Sequence, residues 1–130
     1  MFAEVLTWVV PQSELIFYKE GETVLFDQWL FTIPAKVRTK CLFYVNQLRT
    51  QGHELRRPIA DFLRDAIYEL RPTSYQGINY RILYFFSGKN IVVISHGISK
   101  KTEVPAIEID RAIGRKRKYE ANPEVHGVRR

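Results

Sequence analysis

The chain holds a single cysteine, Cys41, in 130 residues. One thiol excludes an internal disulfide framework and fits a reducing, cytoplasmic setting. Its three histidines, His53, His96 and His126, are scattered. No metal-ligand spacing of the usual kinds results, so no metal and no other cofactor is expected. Gly88 and Gly97 are isolated, which leaves no glycine-rich phosphate loop. A Ser-His-Asp nucleophile set finds no support in the spacing. No apolar run reaches the ~20 residues that a membrane-spanning helix needs, so no membrane partner is expected. The N-terminus has no basic stretch leading into an apolar one, which argues against a signal peptide. There is no internal repeat and no low-complexity block.

Hydrophobic residues make up 45% and aromatics 13%, a composition that folds rather than stays disordered. A chain of this length can bury a core as one domain. Net charge is +6, and it is placed unevenly. Residues 1–70 carry 8 Lys+Arg against 9 Asp+Glu, whereas residues 71–130 carry 12 against 5. The basic half favours a polyanionic partner; a solvated basic tail is the plainer alternative.

Met1 to Val10 is a short apolar stretch without an assigned role. Glu14 to Lys19 reads as a first strand, closed by a turn at Glu20-Gly21-Glu22. Thr23 is a candidate cap for a helix over about Val24 to Ile33, and Pro34 opens a second from Ala35 to Thr50. On that second helix Val37, Cys41, Tyr44, Val45 and Leu48 share a face, while Arg38, Lys40, Asn46 and Arg49 should meet water. Gly52 is a natural stop. His53 to Asp65 reads as a connector, and Pro72 to Gly77 as a loop. Strands are predicted at Ala66–Arg71, Tyr80–Phe86 and Ile91–Ser95, an antiparallel meander with a tight turn at Ser87-Gly88-Lys89-Asn90. Gly97 to Glu103 reads as a polar connector, and Pro105 starts a final helix whose Arg111, Arg115, Lys116, Arg117 and Lys118 give it a basic outer surface.

The fold class is therefore α+β: a small antiparallel sheet, an N-terminal helical hairpin on one face and a C-terminal helix. Residues 1–13 form an extension, 14–119 the domain and 120–130 a flexible basic tail. If the hairpin covers the side of Leu70 and Ile82, strand alternation puts Glu69, Arg71 and Arg81 on the uncovered side, with Leu83 and Phe85 beside them.

The order of these elements resembles the RelE/ParE toxin superfamily. The segments Tyr68-Glu69-Leu70-Arg71, Tyr80-Arg81-Ile82-Leu83-Tyr84-Phe85, Ile91 to Gly97, and Lys100-Lys101-Thr102 with Pro105, then Glu108 and Ala112, look like its HigB-like, phage-derived branch. Gly52-His53-Glu54-Leu55-Arg56 followed by Pro58 is similar too. The likeness spans about residues 14 to 119. It implies the toxin of a type II toxin–antitoxin pair, an endoribonuclease that cuts messenger RNA on the ribosome and inhibits translation. It also implies a cognate antitoxin, usually a helix-turn-helix protein encoded downstream. Two other readings are a ParE-like protein that inhibits DNA gyrase by binding it, and a basic binding domain without catalysis.

Metal-free RNA cleavage must deprotonate the ribose 2′-OH, stabilise the phosphorane and protonate the departing 5′ oxygen. Guanidinium groups suit the second task, since they stay charged and offer paired donors. Arg81, which matches the family's strand arginine, and Arg71 are the candidates. Lys101 and Lys100 match the family's basic pair and can hold the backbone or supply a proton. Arg115 and Lys116 are candidate RNA contacts. Glu69 is either the base or an ion-pair partner of Arg71 and Arg81. His96 is either an acid/base or, in phase with Ile94 and Ile98, a packed core histidine. The chain departs from the best-studied toxins in having Ile67 and Glu69 where those present lysines, and Pro105 near their catalytic tyrosine. Tyr119 is the available substitute. Binding to single-stranded RNA is expected to weaken as salt rises, each neutralised phosphate adding about −0.7 to the slope of log K on log[salt]; filter binding from low to moderate salt checks this, and a flat response would contradict a phosphate-dominated site.

Overall fold

The computed structural model describes residues 13–130; the expectation for Met1 to Val10 lies outside the described residues. β1 (Glu14–Glu20) opens the described fold. Leu15 and Phe17 point to one side of it, Ile16 and Tyr18 to the other, and all four are buried. A strand covered on both faces reads as a continuous apolar run, as Leu15 to Tyr18 does. Gly21, at φ +59°, turns the chain into β2 (Thr23–Val24), which pairs back on β1. Thr23 is held in that ladder opposite Glu20 and does not cap a helix. α1 (Leu25–Leu30) is shorter than the sequence predicts.

α2 (Ala35–Gln51) buries the expected stripe of Val37, Cys41, Val45 and Leu48, and Gly52 at φ +45° ends it. Arg38 corrects one expectation. Its guanidinium donates to the Leu30 and Ile33 carbonyls at 2.9 and 3.1 Å, satisfying acceptors that the end of α1 leaves open. The predicted connector contains β3 (Ala60–Arg64), which pairs with β4 (Ile67–Tyr75). β4 also continues through the predicted loop. Pro72 is buried at a register shift between Leu70 and Thr73, where a proline's missing N–H is tolerated. Gln76 and Gly77, both at positive φ, turn the chain into β5 (Ile78–Ser87). β6 (Ile91–Lys100) extends past the predicted end at Ser95.

Among the described residues the sheet has seven strands; six run in the order β2-β1-β6-β5-β4-β3, and a seventh, near the C-terminus, pairs with β1 off this path, with β1 parallel to β6 and the other pairings antiparallel. The class is α+β as expected, but the sheet is larger, and the helical pair sits further into the chain, after the expected first strand and the unpredicted β2. α1 and α2 cover the side of Leu70, Ile82 and Tyr84, as alternation predicts. The other side is covered by α3 (Ala106–Ala121), which lays Ile109, Ala112 and Tyr119 over Leu83 and Phe85. The face expected to be open is thus open only beyond the end of this helix.

Residues 120–130 form no free tail. α4 (Pro123–His126) leads into β7 (Gly127–Arg129), which pairs with β1. Arg129 grips Glu14 with two hydrogen bonds of 2.6 and 3.2 Å, and Arg130 pairs with Asp27 and lies 4.9 Å over the Phe17 ring. Gly97 matters to the packing of α1. A Cβ there would run into the Trp29 indole, whose Nε1 donates to Ser99 Oγ at 3.0 Å. Gly97→Ala is expected to lower stability by about 1–3 kcal/mol through this overpacking, read as a lower midpoint in urea denaturation followed by circular dichroism.

Candidate active site

Glu69 lies on β4 opposite Leu83 of β5, on the side of α3. Arg81, two residues before Leu83, shares that face. Arg81 Nε is 3.5 Å from Glu69 Oε1, and Arg71 Nε is 4.0 Å from Oε2. The structure thus brings Glu69, Arg71 and Arg81 together. Their exposures separate their roles. The Arg81 side chain is 11% exposed, and its Nη1 donates to the Tyr80 carbonyl at 2.9 Å, with that of Thr73 at 3.5 Å. The Arg71 side chain is 37% exposed. Arg81 is fixed beneath the surface and Arg71 reaches solvent.

Burial pushes the Glu69 pKa above the ordinary carboxylate value, and it outweighs the opposing pull of Arg81 and Arg71. Asp61 and Glu103 push in the same direction as burial. Glu69 therefore has a raised proton affinity while two guanidiniums hold its orientation, a combination suited to proton abstraction. Burial lowers the Arg81 pKa, and the Glu69 carboxylate partly restores it.

Lys100 ends β6 opposite Asn79, so it falls on the same face as Arg81, which lies opposite Ile98. Both Lys100 and Lys101 are exposed, and among the described residues neither is in an ion pair. The basic outer surface expected of α3 is largely internalised or paired. Lys116 is 2.8 Å from Glu120, Lys118 is 3.0 Å from Glu20, and Arg111 is 3.0 Å from Glu108. Arg115 turns inward and reaches His96 Nδ1 at 2.8 Å. Neither Arg115 nor Lys116 is thus displayed as a free RNA contact. Tyr119 is buried against Phe85, so it does not replace a catalytic tyrosine.

His96 lies on the other side of β6 from Ile94. The register shift that pairs His96 with Leu83 and Ile94 with Tyr84 makes Ser95 an extra residue, and this reverses the alternation. The ring is buried beneath α3. Its Nε2 is 3.1 Å from Glu108 Oε1, and its Nδ1 also meets Ser95 Oγ at 2.8 Å. A guanidinium can only donate, so Nδ1 accepts from Arg115 and Nε2–H donates to Glu108. Burial, then the Arg115 charge, push the His96 pKa down to about 4. Burial raises the Glu108 pKa, but the bond from His96 and the Arg111 guanidinium reverse this and hold it low. The pair is a neutral imidazole on a carboxylate, a packed core histidine. Ser95, His96 and Glu108 do not make a nucleophile relay, because Ser95 is fully buried and Arg115 occupies the nitrogen that would take its proton.

Sequence reasoning missed the part of Glu108 and Arg111 in this cluster. The signal was present in the spacing Glu108, Ala112, Arg115, Tyr119, one stripe of a helix. His96, Glu108, Arg111 and Arg115 also line a cleft of about 400 Å³ against Trp29 of α1. Among the described residues no group of three or more His, Cys, Asp or Glu is placed to hold a metal ion, and no helix is long and apolar enough to cross a membrane.

The class defined so far is an α+β protein, a sheet flanked by helices on both faces with a carboxylate–guanidinium cluster on the side of α3. Residues 28–117 match the model of the phage-derived Gp49-like proteins (DUF891), and the chain belongs to that family. The family is of the RelE-like, toxin–antitoxin toxin type, which implies a cognate antitoxin. No curated protein sequence matches the chain.

The neutral His96 has a measurable consequence. Its proton affinity is lower folded than unfolded, so the unfolded chain takes up more protons between pH 6.5 and about 4. Its contribution to stability is complete above about 6.5 and is lost as pH falls through that window. In His96→Gln the fall in urea-unfolding free energy between pH 7 and pH 4.5 is expected to be shallower than in the wild type; identical slopes would contradict the assignment.

Proposed function

We propose that this protein is a metal-independent endoribonuclease toxin of the HigB-like kind, cutting messenger RNA on the ribosome until a helix-turn-helix antitoxin silences it. The observation that carries this reading is the convergence of Glu69 on Arg71 and Arg81, within 4.0 Å, on the face that also presents Lys100. Glu69 accepts the proton of a ribose 2′-OH. The 2′ oxygen attacks the adjacent phosphorus, and the bond from phosphorus to the 5′ oxygen breaks. Arg71, the exposed guanidinium, donates to the non-bridging oxygens as negative charge builds. Arg81 positions the Glu69 carboxylate from below. Lys100 holds the neighbouring backbone, and Lys101 gives a proton to the leaving 5′ oxygen.

The division of labour between stability and chemistry makes this testable. Glu69→Gln and Arg71→Ala are each expected to lower cleavage by about 100-fold or more. Burial disfavours the ionised Glu69 carboxylate, but Glu69→Gln also leaves the buried Arg81 guanidinium without its counter-charge, so the variant should be no more stable than the wild type at neutral pH. RNA ends mapped in expressing cells, with urea unfolding of the purified variants, read both effects. Intact messages with DNA damage would point to gyrase inhibition instead, and an absence of toxicity to a binding domain without catalysis.

A further inference from the structure

Phe62 is 52% exposed on β3, at the edge of the sheet. Its ring stands edge-on to Tyr68 at 5.3 Å, and Tyr68 stacks in turn on Tyr84 at 5.5 Å. A large aromatic ring held out to water by a second ring is a rigid platform, not a loose apolar side chain. It borders a cavity of about 330 Å³ floored by Leu55 and Ala60 and flanked by Arg56, Arg57 and Asp61. The cavity therefore combines an apolar floor, two aromatic rings, two guanidiniums and one carboxylate, and since Asp61 pairs with Arg57 the Arg56 guanidinium supplies the net positive charge. That is the chemistry of a site for an unpaired nucleobase with its phosphate, where stacking and cation contacts act together.

The cavity adjoins the proposed active site around the edge of β3. Asp61 lies opposite Glu69 and Phe62 opposite Tyr68, so Glu69 and the platform fall on opposite faces of the sheet at neighbouring positions, with Asp61 reaching the cavity at the edge. Partners across an antiparallel ladder are only about 5 Å apart at Cα. Arg57 ties the two sites together, with its Nη2 at 2.7 Å from Asp61. A strand of RNA gripped at Arg71 would cross this edge beside the Arg57–Asp61 pair to reach the ring and the Arg56 guanidinium.

We propose that Phe62, backed by Tyr68 and flanked by Arg56 and Arg57, stacks an unpaired base of the RNA next to the phosphate that is cut. This rests on the nuclease reading and adds to it a substrate subsite on the far side of the edge strand. Aromatic stacking tolerates any base, so the platform adds affinity and fixes the path of the strand rather than specifying a sequence.

The test uses the full-length protein and a single-stranded RNA oligonucleotide carrying 2′-deoxyribose at its cleavage position, with affinity read by fluorescence anisotropy. Phe62→Ala is expected to weaken binding by about tenfold, within the range of one stacked base. Phe62→Trp should retain affinity and show quenching of the new indole by the oligonucleotide. An abasic nucleotide beside the cleavage position should weaken wild-type binding by a similar factor and have no effect on Phe62→Ala. If Phe62→Ala binds as well as the wild type while Arg71→Ala does not, the platform is overturned alone, and the exposed ring belongs to a protein contact. If neither the wild type nor any variant binds, the RNA reading fails and the platform with it.

Discussion

A carboxylate buried between two guanidiniums is the interaction on which the functional reading depends. Two cations beside Glu69 would ordinarily draw its pKa down, yet burial, with Asp61 and Glu103 nearby, moves it up. The balance depends on the sheet. β4 and β5 present Glu69 and Arg81 on one face, while the carbonyls of Thr73 and Tyr80 engage Arg81 from within. A charged group so placed weakens the folded state, which supports the chemical role proposed for it.

α3 provides the enclosure, and its own attachment explains why its cations are not all free for RNA. Burying Ile109, Ala112 and Tyr119 against Leu83 and Phe85 turns Arg115 inward, where His96 receives it. The His96–Glu108 bond and the Arg111–Glu108 pair then fix the first turns of the helix beside β6. At the other end Lys118 reaches Glu20, and β7 closes on β1. The helix is thus fastened at both ends over the sheet, with the cationic cluster left at its N-terminal margin.

The parts of this arrangement visible in the sequence were those set by local periodicity. The stripe of Val37, Cys41, Val45 and Leu48 fixed the side covered by α2, and alternation placed Glu69 and Arg81 on the opposite side. Both depend on residues a few positions apart. What escaped was non-local or irregular. One extra residue at Ser95 reverses the side of His96, and no pattern in an apolar run announces a bulge. The last residues read as a polar tail because β7 has no apolar stripe of its own; its order comes from pairing with β1 more than a hundred residues earlier and from the grips of Arg129 and Arg130. The inward turn of Arg115 was hidden by the habit of assigning arginines to the surface, although it shares a helix face with Ala112 and Tyr119.

Abstraction of a 2′ proton by Glu69 has a chemical signature that other routes of RNA cleavage do not share. Attack by the neighbouring 2′ oxygen leaves a 2′,3′-cyclic phosphate on one fragment and a free 5′-hydroxyl on the other. Mass spectrometry of the fragments released by the purified protein from a defined message bound to ribosomes reads both termini. Cyclic phosphate and 5′-hydroxyl ends are the predicted result, whereas 3′-hydroxyl and 5′-phosphate ends would contradict the account.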